Sequence, residues 1–380
     1  MTLGLFKLIC RILSGILFAL TLFSAYGGLF NPDFFTVPAV TLLAFPWLAT
    51  ATAVVTLAWL AGRQLITAAT GVVTLLACWG PLETYFPLQT AKEAEPGQQT
   101  FKMITWNILH TDDLRPKSPE DTTLRSRAFQ YIIDSGADFV CFQEIFGPYT
   151  KEYCRWDPAQ LRKLDQTYPY YAGGTYNDLY ILSKYPVEIL GRPVTDDPFR
   201  QSYNIFRIHM PGGRELTVAD VHLPSFQLSD KERQVITDVK DSQSAKSSAR
   251  EFKGTILEKL GRAFKTRDEM AEDLIDKLSH YRGALIVCGD FNDVPSSWCY
   301  RKFIKAGFTD AFTQTNFWNT HTFNEHLMYF RLDQILYRGP LQALSMERGD
   351  IDSSDHYPFT ATFAFTDYPA AKDKPSGPNI

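Results

Sequence analysis

Only five charged side chains, Lys7, Arg11, Asp33, Arg63 and Glu83, occur in the first 90 residues of this 380-residue chain. They leave three uncharged stretches, Ile12–Pro32, Phe34–Gly62 and Gln64–Leu82. Crossing the hydrocarbon core of a bilayer takes about 20 apolar residues in a helix, and each stretch is long enough. Residues 1–90 are therefore expected to form a membrane anchor of about three transmembrane helices. The competing reading is a buried helical core domain. Lys7 and Arg11 ahead of the first apolar run also suit a signal peptide, but two further spans follow it. Pro38 and Pro46 lie inside the second stretch.

The few cations set an orientation. Lys7 and Arg11 precede the first span and Arg63 separates the second from the third, while the loop around Asp33 has no Lys or Arg. Lys and Arg mark the cytoplasmic side. The N-terminus and Arg63 are then cytoplasmic, and an odd number of spans puts everything after Leu82 outside. The expected location is a multi-pass integral membrane protein with an extracytoplasmic domain.

Residues 91–100, AKEAEPGQQT, read as a polar linker, residues 101–366 as one soluble domain, and the Pro-, Lys- and Asp-rich residues 367–380 as a disordered tail. Beyond residue 90 the chain holds 35 basic against 40 acidic residues. That balance argues against a broad basic face for duplex DNA, though not against nuclease chemistry. Of six cysteines, Cys10 and Cys78 fall in or beside the spans, and Cys141 and Cys288 sit in apolar strand runs. Cys154 and Cys299 could pair in an oxidising space. No cysteine spacing resembles a zinc site.

Within 101–366, strand-like runs alternate with helical ones. Phe101–Ile108, Phe139–Phe142, Leu179–Ser183, Ile205–His209, Leu216–Val221, Leu285–Cys288, Gln334–Tyr337 and Phe359–Phe365 read as strands. Ser126–Ser135 reads as a helix stopped by Gly136, and Ser229–Ser279 as mainly helical. Several strands are apolar throughout, as when both faces of a sheet are covered. The class is mixed α/β.

Chemistry-bearing residues stand at or beside the ends of these strands. ALIVCGDFND (Ala284–Asp293) runs four apolar residues into a turn presenting Asp290 and Asn292. Asn107 follows Thr105-Trp106, Glu144 ends FVCFQE, His222 ends VADVH, Asp333 opens DQILY, and Asp355-His356 lie in SSDHYP. Singly, each has a bland explanation as a turn former, a solvated strand end or a structural histidine. Together they form one set. Carboxylates and carboxamides are hard oxygen ligands suited to Mg²⁺ or Mn²⁺, and His and Asn can neutralise charge developing on a phosphoryl group. Such a set suits metal-assisted attack of water on phosphorus.

The motifs TWN, QE, ILSKYP, VHLP, GDFND, RLDQILY and SDHYP occur in the order found in the endonuclease/exonuclease/phosphatase superfamily, which the chain from about Phe101 to Phe365 resembles. That group includes deoxyribonuclease I, abasic-site exonucleases, inositol-polyphosphate 5-phosphatases, neutral sphingomyelinases and poly(A) deadenylases. The resemblance implies a four-layer α/β sandwich of two central sheets with helices outside. It implies Asn107, Glu144 and Asp355 at the metal, with Glu144 the direct ligand. Asp290 would orient or deprotonate the attacking water and Asn292 would contact phosphate. His356 would act at the scissile phosphate with Asp333 behind it, and His222 would stabilise the transition state. Asn177 and Asp178 are candidate substrate contacts. Two departures lean away from abasic-site nucleases: His222 itself, and Leu109, where several nucleases carry an acidic residue.

The segment between His222 and Asp290 is long. Phe226–Arg267 holds ten Lys or Arg against six Asp or Glu. Phe252, Ile256, Leu260 and Phe264 fall at spacing four, with Lys253, Lys259, Arg262 and Lys265 interleaved, as in a basic amphipathic helix. It is either an arm for anionic headgroups or phosphate chains, or an ordinary surface helix. His321 and His326, in the loop before RLDQILY, could reach the cleft. The expected function is a membrane-anchored, Mg²⁺-dependent phosphoric-ester hydrolase in which water attacks a phosphodiester, of a lipid headgroup or of nucleic acid, with the anchor and the basic helix adding weight to a lipid. A tethered nuclease acting on extracytoplasmic DNA or RNA is the alternative in the same class, and a catalytically silent tethered binding module is the alternative outside it.

Overall fold

In strands covered on both faces, successive side chains enter two different buried layers. That alternation organises the computed structural model, which describes residues 3–110, 124–145, 156–173, 178–193, 202–226, 257–325 and 328–366. The tail 367–380, Asn177, Cys154, His326 and residues 227–256 lie outside them. One six-stranded sheet contains β1 (Thr100–Asn107), β2 (Phe139–Gln143), β3 (Tyr170–Gly173), β4 (Tyr180–Ser183), β13 (Leu341–Arg348) and β14 (Phe359–Phe365), in the order β13-β14-β1-β2-β4-β3. The other contains β5 (Val187–Gly191), β6 (Tyr203–Met210), β7 (Arg214–His222), β8 (Ala284–Asp290), β9 (Thr309–Asp310) and β12 (Asp333–Arg338), in the order β5-β6-β7-β8-β12-β9. A short hairpin, β10 (Phe323–Glu325) with β11 (Met328–Phe330), stands apart from both.

The sheets face each other across a core of Phe101, Met103, Phe139, Cys141, Val218, Ile286 and Cys288, among others. On the outer face of the first sheet, Ile104, Trp106 and Val140 pack against α6 (Arg127–Ser135) and α7 (Pro158–Thr167). On the outer face of the second, Ala219, Val287 and Leu285 meet α8 (Leu257–Ser279) and α9 (Trp298–Lys305). The layers run helix, sheet, sheet, helix. A short α10 (Ala311–Thr315) sits after β9. Capping follows the sequence closely at α6: the Ser126 side chain accepts from Phe129 N–H, and Gly136 ends the helix at φ 72°.

The N-terminal helices depart from three continuous spans. One helix, α1 (Leu3–Ala25), continues through a 3₁₀ turn, and the segment Gly4–Leu29 is long and apolar enough to cross a membrane unbroken. The second and third stretches are bent pairs. In one, α2 (Thr36–Leu42) meets α3 (Phe45–Ala61) at 60°; in the other, α4 (Leu65–Ala77) meets α5 (Trp79–Tyr85) at 68°. Proline explains both breaks. Its ring clashes with the carbonyl four residues back. Counting back four from Pro46 reaches Leu42, the last residue of α2, and from Pro81 reaches Ala77, the last residue of α4. The Tyr26 hydroxyl donates to the Ala77 carbonyl that Pro81 leaves free.

These helices are arranged inside out. Many buried positions hold small or hydroxyl residues: Thr21 and Thr52 share a 2.7 Å hydrogen bond, and Trp59 Nε1 donates to Ser14 Oγ at 2.8 Å. Leu13, Leu57, Ile66, Val73 and Leu76 face outward. Arg11 donates to Gln64 at the end of the bundle remote from the domain. At the other end Gly28 is pressed on the domain: a Cβ there would lie 1.8 Å from the Ser296 carbonyl oxygen.

Candidate active site

Alternation carries the chemistry to the mouth of the inter-sheet core. The inward row of β1 is Phe101, Met103, Thr105, Asn107. That of β7 is Leu216, Val218, Asp220, His222, and that of β8 is Ile286, Cys288, Asp290. Each row begins apolar and ends polar. Registers align the ends, with His222 beside Asp290 in the parallel β7–β8 pair and Asp333 opposite Asp290 in the antiparallel β8–β12 pair. Gly289 makes the approach possible. Its φ is +131°, and a Cβ there would lie 2.0 Å from the Val221 carbonyl oxygen.

Four side chains converge on Asp290 Oδ2. Asn107 Nδ2 lies at 3.1 Å and Asn292 Nδ2 at 3.2 Å. His356 Nε2 lies at 3.7 Å and His222 Nε2 at 3.9 Å. Asp290 Oδ1 accepts from the Asn292 backbone N–H at 2.7 Å. Asn107 Nδ2 also reaches Glu144 Oε1 at 3.0 Å. Glu144 and Asn292 both adopt positive φ, 56° and 49°, a strained conformation typical of functional turns.

Both histidines are backed by a carboxylate. His222 Nδ1 lies 2.7 Å from Asp178 Oδ2, and His356 Nδ1 lies 2.7 Å from Asp333 Oδ2. Burial alone would lower the His222 pKa, but Asp178, then Asp290 and Glu144, push it up to about 9. Burial likewise opposes charge on His356, yet Asp333, Asp290 and Asp355 push it up to about 10. Burial works to raise the Asp178 pKa, and the His222 charge more than offsets it, leaving it below the ordinary value. Asp355 is half-buried, with Ser354 Oγ donating to its carboxylate at 3.2 Å.

The donor set fits a divalent cation. Asp290, Asp333 and His356 lie with their polar atoms within 4.8 Å of one another, and while His356 keeps its proton the carboxylate oxygens are the ligands this cluster offers. Asp333 Oδ1 is buried with no hydrogen-bond partner. Glu144, one-fifth exposed at the mouth, adds two hard oxygens.

A model of the Endonuclease/Exonuclease/phosphatase family matches residues 104–356, a span that contains this whole constellation. The chain belongs to that family. Its members are generally hydrolases of phosphoester bonds and generally depend on divalent metal. No curated protein matches the chain. Similar solved structures include an endonuclease/exonuclease/phosphatase from Beutenbergia cavernae DSM 12333, at 17% identity over 72% of this chain and 74% of that one, TM-score 0.46. The human Nocturnin catalytic domain with bound sulfate anion has 16% identity over 70% and 95%, TM-score 0.44. A mannosyl-6-phosphatase from Bacteroides thetaiotaomicron VPI-5482 has 15% identity over 70% and 100%, TM-score 0.39.

Beyond the family motifs, three residues were not singled out from the sequence: His110, Asp220 and Arg267. His110 Nε2 stands 3.2 Å from Glu144 Oε2, placed by a backbone hydrogen bond from His110 N–H to the Glu144 carbonyl. Gln143 Nε2 donates to Asp220 Oδ1 at 2.6 Å, one rung below the site. Burial pushes the Asp220 carboxyl well above its usual range. Arg267 of α8 is fully buried; its Nε donates to the Pro224 carbonyl at 2.6 Å and its Nη1 lies 3.8 Å from Asp293 Oδ2. It ties the loop after His222 to the loop after Asp290. His321 stands instead beside Arg348, which with burial lowers its pKa. The basic helix also differs from a free arm: Leu260 and Phe264 are buried against Ala39 of α2 and Phe226. Phe252, Lys253 and Ile256 lie outside the described residues.

Proposed function

We propose that the protein is a membrane-anchored, divalent-metal-dependent phosphoric-ester hydrolase in which water attacks a phosphodiester. The observation that carries this reading is the convergence of Asn107, Asn292, His222 and His356 on one oxygen of Asp290. Asp290 is the group to orient the attacking water and accept its proton. Asn292 binds a phosphoryl oxygen. The Nε2–H groups of His222 and His356, each oriented by its own Asp, donate to the phosphoryl oxygens as the new P–O bond forms and the ester P–O bond breaks. One imidazolium then protonates the departing oxygen. Glu144 and Asn107, with Asp355 beside them, would hold Mg²⁺ or Mn²⁺. The metal supplies charge neutralisation and lowers the pKa of bound water.

The inside-out helices support several spans, each bent pair counting as one. With Lys7, Arg11 and Arg63 at the remote end, the domain is extracytoplasmic by the positive-inside rule. The test is hydrolysis by the full-length protein with Mg²⁺ or with EDTA, on phospholipid vesicles, DNA and RNA. Asp290→Ala should lower turnover by roughly 10²–10⁴-fold. Turnover of nucleic acid alone would make it a tethered nuclease. Silence on every substrate with no Mg²⁺ binding would leave a tethered binding module.

A further inference from the structure

One span would tether a hydrolase, yet this anchor is built into the catalytic loops. Val294, two residues after Asn292, and Leu332, next to Asp333, are buried in one cluster with Leu42, Phe45 and Tyr85 of the anchor. The Tyr85 hydroxyl donates to the Pro295 carbonyl at 2.8 Å. Arg331 Nη2 donates to the Thr84 carbonyl at 3.4 Å. A row of rings runs from the site to the bundle. His356 lies against Phe323 at 5.1 Å, Phe323 pairs with Phe330 across the β10–β11 hairpin, and Phe330 lies against Trp47 at 5.6 Å.

The contacts fix the height of the site. Trp47 stands one turn into α3, at the domain end of the bundle, and is half-exposed. Phe34, Phe35, Trp79 and Trp318 are exposed around the same junction, the composition of a membrane–water interface. A site separated from Trp47 by two side chains cannot stand clear of that interface, because the loops that carry it are packed on the helices.

We propose that the substrate is a phosphoester borne by a membrane lipid, whose headgroup reaches Asp290 and the two histidines while its chains stay in the bilayer beside Trp47 and Phe330. The inference rests on the hydrolase reading above and narrows it. The rim side chains that would meet such a lipid are apolar or aromatic rather than basic, so they select for chain more than for headgroup charge.

The test compares esters that differ only in their chain. Full-length protein in phosphatidylcholine vesicles with Mg²⁺ is offered methyl or hexadecyl 4-nitrophenyl phosphate, and methyl or hexadecyl phosphate as the monoester pair. The hexadecyl ester of at least one pair should show a kcat/KM at least tenfold higher. Trp47→Ala should reduce that advantage severalfold, read as the ratio of the hexadecyl to the methyl ester rate in the same variant. A fluorophore coupled at the Tyr329→Cys position, half-exposed on the hairpin, should be quenched by phosphatidylcholine brominated near the headgroup. This last readout does not depend on Trp47→Ala folding. Equal rates on both chains, or no quenching, would overturn the lipid inference and leave the hydrolase reading standing. Turnover of no ester would overturn the hydrolase reading, and this inference with it.

Discussion

At the scale of single residues, each of two histidines is paired with a carboxylate, His222 with half-buried Asp178 and His356 with buried Asp333, and this makes stability pH-dependent. His222 and His356 are pushed up to about 9 and about 10 in the fold, against roughly 6.5 in an unfolded chain. A raised pKa means that the folded state binds the proton more tightly. The stabilisation is complete below about pH 6.5 and is lost as pH rises through the folded values. The Asp178 pKa is lowered, so its share is present above its unfolded value and fades as pH falls through the folded one. Metal-free protein in EDTA should therefore melt several degrees lower at pH 10 than at pH 6.5. Asp333→Asn should flatten the alkaline slope, because His356 loses its strongest partner. A melting temperature that does not change between these pH values in the wild type would show that the pairs are not charged.

At the scale of elements, α8 reaches the chemistry through Arg267, whose guanidinium also lies 4.2 Å from the Phe226 ring. Burial lowers the Arg267 pKa, while burial raises that of Asp293 against the pull of Arg267. Neither ion is comfortable alone. Breaking such a buried pair from one side costs roughly 3–5 kcal/mol. Arg267→Met should lose about that much stability and should lower kcat more than it raises KM, since it frees the loops after His222 and Asp290. Arg267→Met combined with Asp293→Asn should recover part of the stability; strict additivity in a denaturant series would refute the pairing. Elements of this kind also mark what the sequence could reveal. Strands β1, β2, β4, β6, β7, β8, β12 and β14 were legible because most of their residues are apolar, whereas the eight-residue β13, LQALSMER, was missed because polar residues interrupt its apolar run. β3, β5, β9, β10 and β11 were not legible, being two to five residues long, most with mixed burial. The residues at strand ends could be named from the chain alone. Their partnerships could not: Asp178 with His222 and Arg267 with Asp293 join positions 44 and 26 residues apart, and no local pattern encodes either.

For the whole molecule, the N-terminal helices and the domain share a core, so the boundary that composition draws at residues 91–100 is not an energetic boundary. Prolines 46 and 81 break two stretches that read as plain spans, and the bends carry Leu42, Phe45 and Tyr85 onto Val294 and Leu332. Gly28 leaves no room between the bundle and Ser296. A fragment starting at residue 91 would expose that apolar face and the loop 291–297 that it supports. Its amides at Val294 and Leu332 should exchange with deuterium faster than in the full-length protein in detergent, and its kcat/KM on a water-soluble ester should fall at least tenfold. The Asp333 N–H, which donates to Thr322 Oγ1 at 3.1 Å, should lose protection with them. Amides of β1 and β14, across the inter-sheet core from the bundle, should exchange alike in both forms. If the fragment matched the full-length protein in rate and in protection at 294 and 332, the bundle would be only a tether, and the catalytic loops would hold their shape without it.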